Sequence, residues 1–175
     1  MSMPIIQRRR IEAELIKELY DTLVGRYGRT EAAEVIAESI RRSAIAQARQ
    51  FAEAEGRPTS LETFAELYKL WTAEDALTID VKRRDADAFD FDVARCRYAE
   101  MYREMGLGDI GHLLSCNRDG AFCQGYDPSI KFSRTQTLME GASHCDFRYR
   151  YEPDPAGKTA HNPIGAASPV EQGKT

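Results

Sequence analysis

A thiol and a carboxylate stand three residues apart in an otherwise polar run: Ser115, Cys116, Asn117, Arg118, Asp119 and Gly120. If the run is helical, that spacing puts Cys116 and Asp119 on one face. Such a pair suits nucleophilic attack with an adjacent proton acceptor, or joint ligation of a metal. Arg118 beside it would lower the thiol pKa. Structural cysteines usually have apolar neighbours, whereas those of Cys116 are polar, so this pair is the leading candidate for chemistry.

The other thiols read differently. Alternation in the last predicted strand puts Cys145 on one face with Phe147, Tyr149 and Tyr151, and Asp146, Arg148 and Arg150 on the other. That is the pattern of a packed core thiol. Cys96 opens a predicted helix, where the helix dipole favours the thiolate. Cys123, between Phe122 and Gln124, is expected to pack. Arg134 and Arg148 can each present a planar donor fork to a carboxylate. Cys96, Cys116, Asp119 and Cys145, with His144, supply donors suited to zinc or manganese, but at no recognisable ligand spacing. His112 and His144 fall in no catalytic signature, so Asp119 would be the base if its surroundings raise its pKa.

The elements that must position these residues follow from periodicity. Ile11, Leu15, Leu19 and Leu23 recur at helical spacing across residues 5–27, with Gly25 and Gly28 closing the helix. Thr30 is a candidate N-cap for a second helix running to about Glu55. Thr59 with Glu62 forms a candidate capping box for a third, through Leu61, Phe64, Leu67, Tyr68 and Trp71. After Glu74 the period falls to two: Leu77, Ile79 and Val81, then Phe89, Phe91 and Val93, alternate with polar residues. A short helix through Tyr98, Met101, Tyr102 and Met105 follows, then strands over 130–138 and 144–151 joined by a turn at Gly141. The order α-α-α-β-β-α-β-β predicts an α+β fold, with N-terminal helices packed on a mainly antiparallel sheet of about four strands. The expected organisation is one domain over 1–152, with a helical part (5–73) and a sheet part (75–152), and a mobile tail at 153–175.

Composition narrows the partners. The 175 residues are 42% hydrophobic and 30% charged with a net charge of −4, which gives no reason to expect nucleic acid. Arg8, Arg9 and Arg10 are followed closely by Glu12, Glu14 and Glu18, so a solvated helix face is expected there. No apolar run approaches the ~20 residues needed to span a bilayer. The N-terminus lacks the apolar stretch of a secretory signal, so a cytoplasmic location with reduced thiols is expected.

Four motifs in order carry a resemblance: Cys96, Arg97 and Tyr98; Cys116 to Asp119; Phe132 to Leu138; and Gly141 to Arg148. The pattern C…CxxD…RTxTL…GxxxCDF, spanning about 75–152, resembles the L-2-amino-thiazoline-4-carboxylic acid hydrolase family. The resemblance implies ring opening: water adds at the amidine carbon of a thiazoline, the ring carbon–sulfur bond breaks, and N-carbamoyl-L-cysteine results. It carries over Cys96, Cys116, Asp119, Thr137, Gly141, Cys145, Asp146 and Arg148 as motif positions; the candidate catalytic residues are Cys116, Asp119 and Cys145, and the candidate substrate contacts Tyr98, Arg134, Thr137, Asp146 and Arg148. Two routes stay open: Cys116 attacking with Asp119 moving protons, or a metal held by Cys96, Cys116, Asp119 and Cys145 activating water. The GxxxCDF ending is also similar, more weakly, to vinyl-reductase type small-molecule-binding domains. That likeness implies a ligand pocket between helix and sheet and a homodimer, and its alternative function is non-catalytic sensing.

Overall fold

The computed structural model describes residues 3–153, so the expected tail from 154 onward lies outside the described residues. Three helices come first: α1 (Ile5–Tyr27), α2 (Arg29–Ala54) and α3 (Leu61–Thr72). Strands β1 (Leu77–Arg84) and β2 (Ala88–Cys96) follow, then helices α4 (Arg97–Glu104), α5 (Gly111–Leu114) and α6 (Asn117–Tyr126). Strands β3 (Ile130–Ser133) and β4 (Cys145–Tyr151) complete a four-stranded sheet in the order β1-β2-β4-β3, antiparallel at every pairing. The α+β architecture is the expected one, with α5 and α6 added between α4 and β3.

Alternation sets the two faces of the sheet. Phe89, Phe91 and Val93 of β2 and Cys145, Phe147 and Tyr149 of β4 are buried together with Phe64 of α3 and Phe122 of α6 in an aromatic core. The opposite face carries ion pairs, Arg148 with Asp92 and Arg150 with Asp90. A second core joins α1, α2, α4 and α5 through residues such as Ala13, Ile36, Ile40, Tyr102 and Leu114. Strand β1 is the exposed edge, broken by register shifts at Thr78/Ile79 and Val81/Arg83, the irregularity typical of protected edges.

Several local expectations change. The apolar stripe Ile11, Leu15 and Leu19 faces outward, with Leu15 65% exposed. The buried side of α1 is Ile5, Ile6, Arg9, Ala13 and Tyr20. The helix has two faces with apolar residues, and small Ala13 lets one of them seat closely; periodicity alone does not choose between them. Arg9 therefore turns inward while Arg8 and Arg10 stay exposed. Helix α2 starts at Gly28 (φ +86°) without a side-chain cap from Thr30. The capping box of α3 is made by Ser60 and Thr63, one residue beyond Thr59 and Glu62. The predicted strand over 130–138 stops at Ser133, because the amides of Thr135 and Gln136 turn to the Asp146 carboxylate instead of a neighbouring strand.

Helix α6 escapes periodicity because Gly120 and Gly125 interrupt it, and both glycines serve packing. A methyl group on Gly125 would lie 2.3 Å from the Ile45 carbonyl oxygen of α2, and one on Gly120 would lie 3.3 Å from the Phe132 ring. Alanine gains about 1 kcal/mol of helix propensity over glycine, but at Gly125 the obstacle is backbone. Overpacking costs about 1–3 kcal/mol and wins. In chemical denaturation, Gly125→Ala should lose up to about 2 kcal/mol, the net of these two figures, whereas Leu15→Gln should stay within about 0.5 kcal/mol of wild type.

Candidate active site

Helix α6 brings the polar run into the space between the helical layer and the sheet. Cys116 precedes its first turn and Asp119 lies within that turn. The Asp119 carboxylate accepts a charge-assisted bond from Arg134 Nη1 at 2.5 Å, while Arg134 Nη2 donates to the Cys116 carbonyl at 3.3 Å. Arg134 follows directly on β3, so one guanidinium ties the end of that strand to the start of α6. Its plane is held over the rings of Phe132 and Phe147, at 5.3 Å and 5.0 Å from their centroids, a stacking favourable for a desolvated cation.

Asp119 also borders an internal cavity of about 50 Å³. Its apolar wall includes Phe64, Tyr68, Trp71, Phe122, Phe147 and Tyr149, and its polar groups are Arg9, Gln47, Arg118 and Asp119. Few convergent polar groups in an aromatic cavity are the usual composition of a small-molecule site. A volume of this size has room for about one or two waters, so a ring is admitted only if a wall moves. On the outside, an open cleft of about 390 Å³ between α3 and β1 is lined by Ala65, Lys69, Thr72, Val81 and Phe89. It is the larger of the two, and its charged residues Glu66, Lys69 and Arg84 stand on an open surface, whereas the inner cavity holds the buried Arg9 and Arg118. Tyr68 lines both spaces, and its hydroxyl is bonded to that of Tyr149.

Burial raises the Asp119 carboxyl above the ordinary aspartate value, against the opposing pull of Arg134. A carboxylate with a raised pKa is a better proton acceptor. Burial, and then the Asp119 charge, push the Cys116 thiol up as well, with Arg134 only partly offsetting them. Arg118 does not act on this thiol as expected from sequence. Its Nε donates to the Leu114 carbonyl at 2.9 Å and its Nη2 to Glu12 at 3.2 Å. Burial also raises Cys96, to about 11, despite its place at the start of α4. Cys116 and Cys96 are therefore neutral thiols at pH 7.

The remaining sequence candidates occupy structural places. Cys145 is buried, its sulfur accepting the Leu138 amide at 3.2 Å, and burial raises its pKa. Asp146 accepts from the Thr135 and Gln136 amides, both at 2.9 Å, and from the Thr135 hydroxyl. Thr137 caps the single turn Leu138–Glu140. Arg148 pairs with Asp92 on the face of the sheet opposite the aromatic core. The Tyr98 hydroxyl donates to the Trp71 carbonyl at 3.2 Å, behind the cavity wall. Of the expected site residues, the structure thus places Asp119 on the cavity, held by Arg134. It adds Arg9, Gln47 and Arg118, which sequence did not single out for binding. Arg9 shares its phase on α1 with Ile5, Ile6 and Ala13, and that was the available signal.

A metal does not fit the expected set. Among the described residues no three His, Cys, Asp or Glu side chains gather closely enough to hold an ion. Asp119 is engaged by Arg134, and the Cys145 sulfur by the Leu138 amide.

The chain is an α+β domain with a half-buried carboxylate on the wall of an aromatic cavity. The chain matches the L-2-amino-thiazoline-4-carboxylic acid hydrolase family over residues 8–149 and belongs to that family. No curated protein matches it. Among solved structures it is similar to the phenol-responsive sensory domain of the transcription activator PoxR with phenol, at TM-score 0.51 and 14% identity, covering 82% of this chain and 74% of that one. It is also similar to a trafficking protein particle complex subunit 3 from Naegleria fowleri covalently bound to palmitic acid, at TM-score 0.50 and 9% identity, covering 83% and 96%. At these identities the likeness is one of fold. Among the described residues no helix is long and apolar enough to cross a membrane.

The thiol assignments have a direct chemical check. Because only the thiolate is alkylated, iodoacetamide at pH 8 should modify Cys116 about tenfold or more slower than free cysteine, followed by peptide mass spectrometry. Modification faster than free cysteine would contradict a neutral, half-buried thiol.

Proposed function

We propose that this protein is a hydrolase that opens a small carboxylate-bearing heterocycle of the cyclic amidine type, with Asp119 as the proton acceptor. The observation that carries the reading is a carboxylate of raised pKa on the wall of an aromatic cavity, in a chain whose family is named for hydrolysis of a thiazoline carboxylic acid. Water between Asp119 and the ring attacks the amidine carbon as Asp119 takes one of its protons. The tetrahedral carbon then collapses to a carbonyl and its bond to sulfur breaks. The two protons of the water end on the ring nitrogen and on the departing sulfur, and Asp119 returns to its ionised form. Arg134 holds Asp119 in position throughout and opposes the rise that burial imposes on its pKa. The raised pKa of Cys116 favours water over this thiol as the attacking group. The ring reaches the cavity from the outer cleft past Tyr68, the side chain common to both.

A second reading, a non-catalytic small-molecule-binding domain, is supported by the aromatic cavity and by the fold shared with the phenol-responsive domain. Turnover separates the two. With L-2-amino-thiazoline-4-carboxylic acid as substrate, ring opening releases a free thiol that a colorimetric reagent detects, and the product is N-carbamoyl-L-cysteine. Asp119→Asn should lower kcat by about 10²–10⁴-fold, the usual range for a proton-transfer group, and Cys116→Ser should retain most of it. Activity requires ionised Asp119, so kcat/KM should fall with acid, through a midpoint above the ordinary aspartate value. Full loss in Cys116→Ser with wild-type rates in Asp119→Asn would reverse the roles. Binding without any turnover would favour the sensing function.

A further inference from the structure

The charges around Arg118 do not balance. Arg9 of α1 and Arg118 of α6 are 4% and 8% exposed, and both guanidiniums converge on a single carboxylate oxygen. Arg9 Nη1 lies 2.6 Å from Glu12 Oε2 and Arg118 Nη2 lies 3.2 Å from the same atom. The other oxygen of Glu12 is taken by Arg8 Nε at 2.9 Å. Arg9 Nη2 donates to Gln47 Oε1 at 2.9 Å, and Asp119 is committed to Arg134. What remains is Arg118 Nη1, a buried side-chain polar atom with no acceptor among the described residues. Burial and the neighbouring Arg9 push Arg118 down to about 10, the response of a cation short of counter-charge.

A buried, unpartnered donor is costly, and buried charges are ordinarily paired. Arg9, Gln47 and Arg118 all line the cavity that Asp119 borders. We infer that Arg9 and Arg118 form an anion-recognition subsite that takes the carboxylate of a small planar-ring ligand, with the ring against the aromatic wall of Tyr68, Trp71 and Phe122. The inference rests on the reading of this cavity as the reaction site and deepens it. It separates the tasks of the arginines: Arg134 holds the carboxylate of the protein, and Arg118 with Arg9 receives the carboxylate of the ligand. An incoming carboxylate supplies both the missing acceptor and the missing charge, and guanidiniums suit it through their paired donors. A neutral amide of the same shape supplies the acceptor without the charge.

The test uses an unreactive probe, so that it reads recognition apart from catalysis. Thiazole-4-carboxylate and thiazole-4-carboxamide are titrated into the full chain by calorimetry, with melting temperature followed in parallel. The carboxylate should bind at least about tenfold tighter than the amide, in line with the strength of charge-assisted bonds. Arg118→Met, which keeps the apolar stem and leaves Glu12 with Arg9, should fold and lose that preference. Glu12→Gln frees both guanidiniums and should tighten carboxylate binding, whereas a purely structural ion cluster would give lower stability and no gain in affinity. Equal binding of acid and amide by wild type, or an undiminished preference in Arg118→Met, would overturn the proposal. A protein that prefers the acid by this criterion yet opens no ring would keep the subsite and lose the hydrolase.

Discussion

The ion pair between Asp119 and Arg134 is the interaction around which the site is organised. It joins the first turn of α6 to the residue that leaves β3, and the rings of Phe132 and Phe147, tilted 44° to each other, pack against the guanidinium. Removing one partner of such a pair strands a charge in a low-dielectric region, at a cost of about 3–5 kcal/mol when fully buried. Here about a quarter of the Asp119 side-chain surface remains open, so the cost is toward the lower end. That opening gives the carboxylate access to the cavity while its other side is fixed by Arg134.

The same geometry sorts chemistry from packing among residues that look alike in the sequence. Cys96, Cys116, Cys123 and Cys145 are all raised by burial, so a position at the start of a helix does not make a thiolate of Cys96 or Cys116. Arginines divide in the same way. Arg148 and Arg150 neutralise Asp92 and Asp90 on the outer face of the sheet, while Arg9 and Arg118 face a cavity with too few carboxylates to match them.

Much of the fold was legible because alternation in β2 and β4 is strict: Phe89, Phe91 and Val93 against Asp90 and Asp92, and Cys145, Phe147 and Tyr149 against Asp146, Arg148 and Arg150. The spacing of Cys116 and Asp119 fitted a helical turn, but no periodicity marked the helix itself. Other features depend on tertiary contacts that local pattern does not encode. Gly120 and Gly125 weaken the signal of α6 and are needed where it approaches Phe132 and α2. Ile11, Leu15 and Leu19 mark an apolar face of α1, but the buried face is the one that carries Ala13 and Arg9. Thr135 and Gln136 look like strand until the Asp146 carboxylate competes for their amides. Arg9 was hidden inside a basic triplet whose other two members are solvated.

The central claim is that Asp119 is a largely desolvated, half-buried carboxylate whose surroundings raise its pKa despite the ion pair with Arg134. The most direct measurement is the pH titration of its side-chain carbon by ¹³C NMR, assigned by comparison with Asp119→Asn. A single midpoint above the ordinary aspartate value is the predicted result. A midpoint at or below that value would mean that Arg134 dominates burial, and that Asp119 is a structural anion with little capacity to take a proton from water.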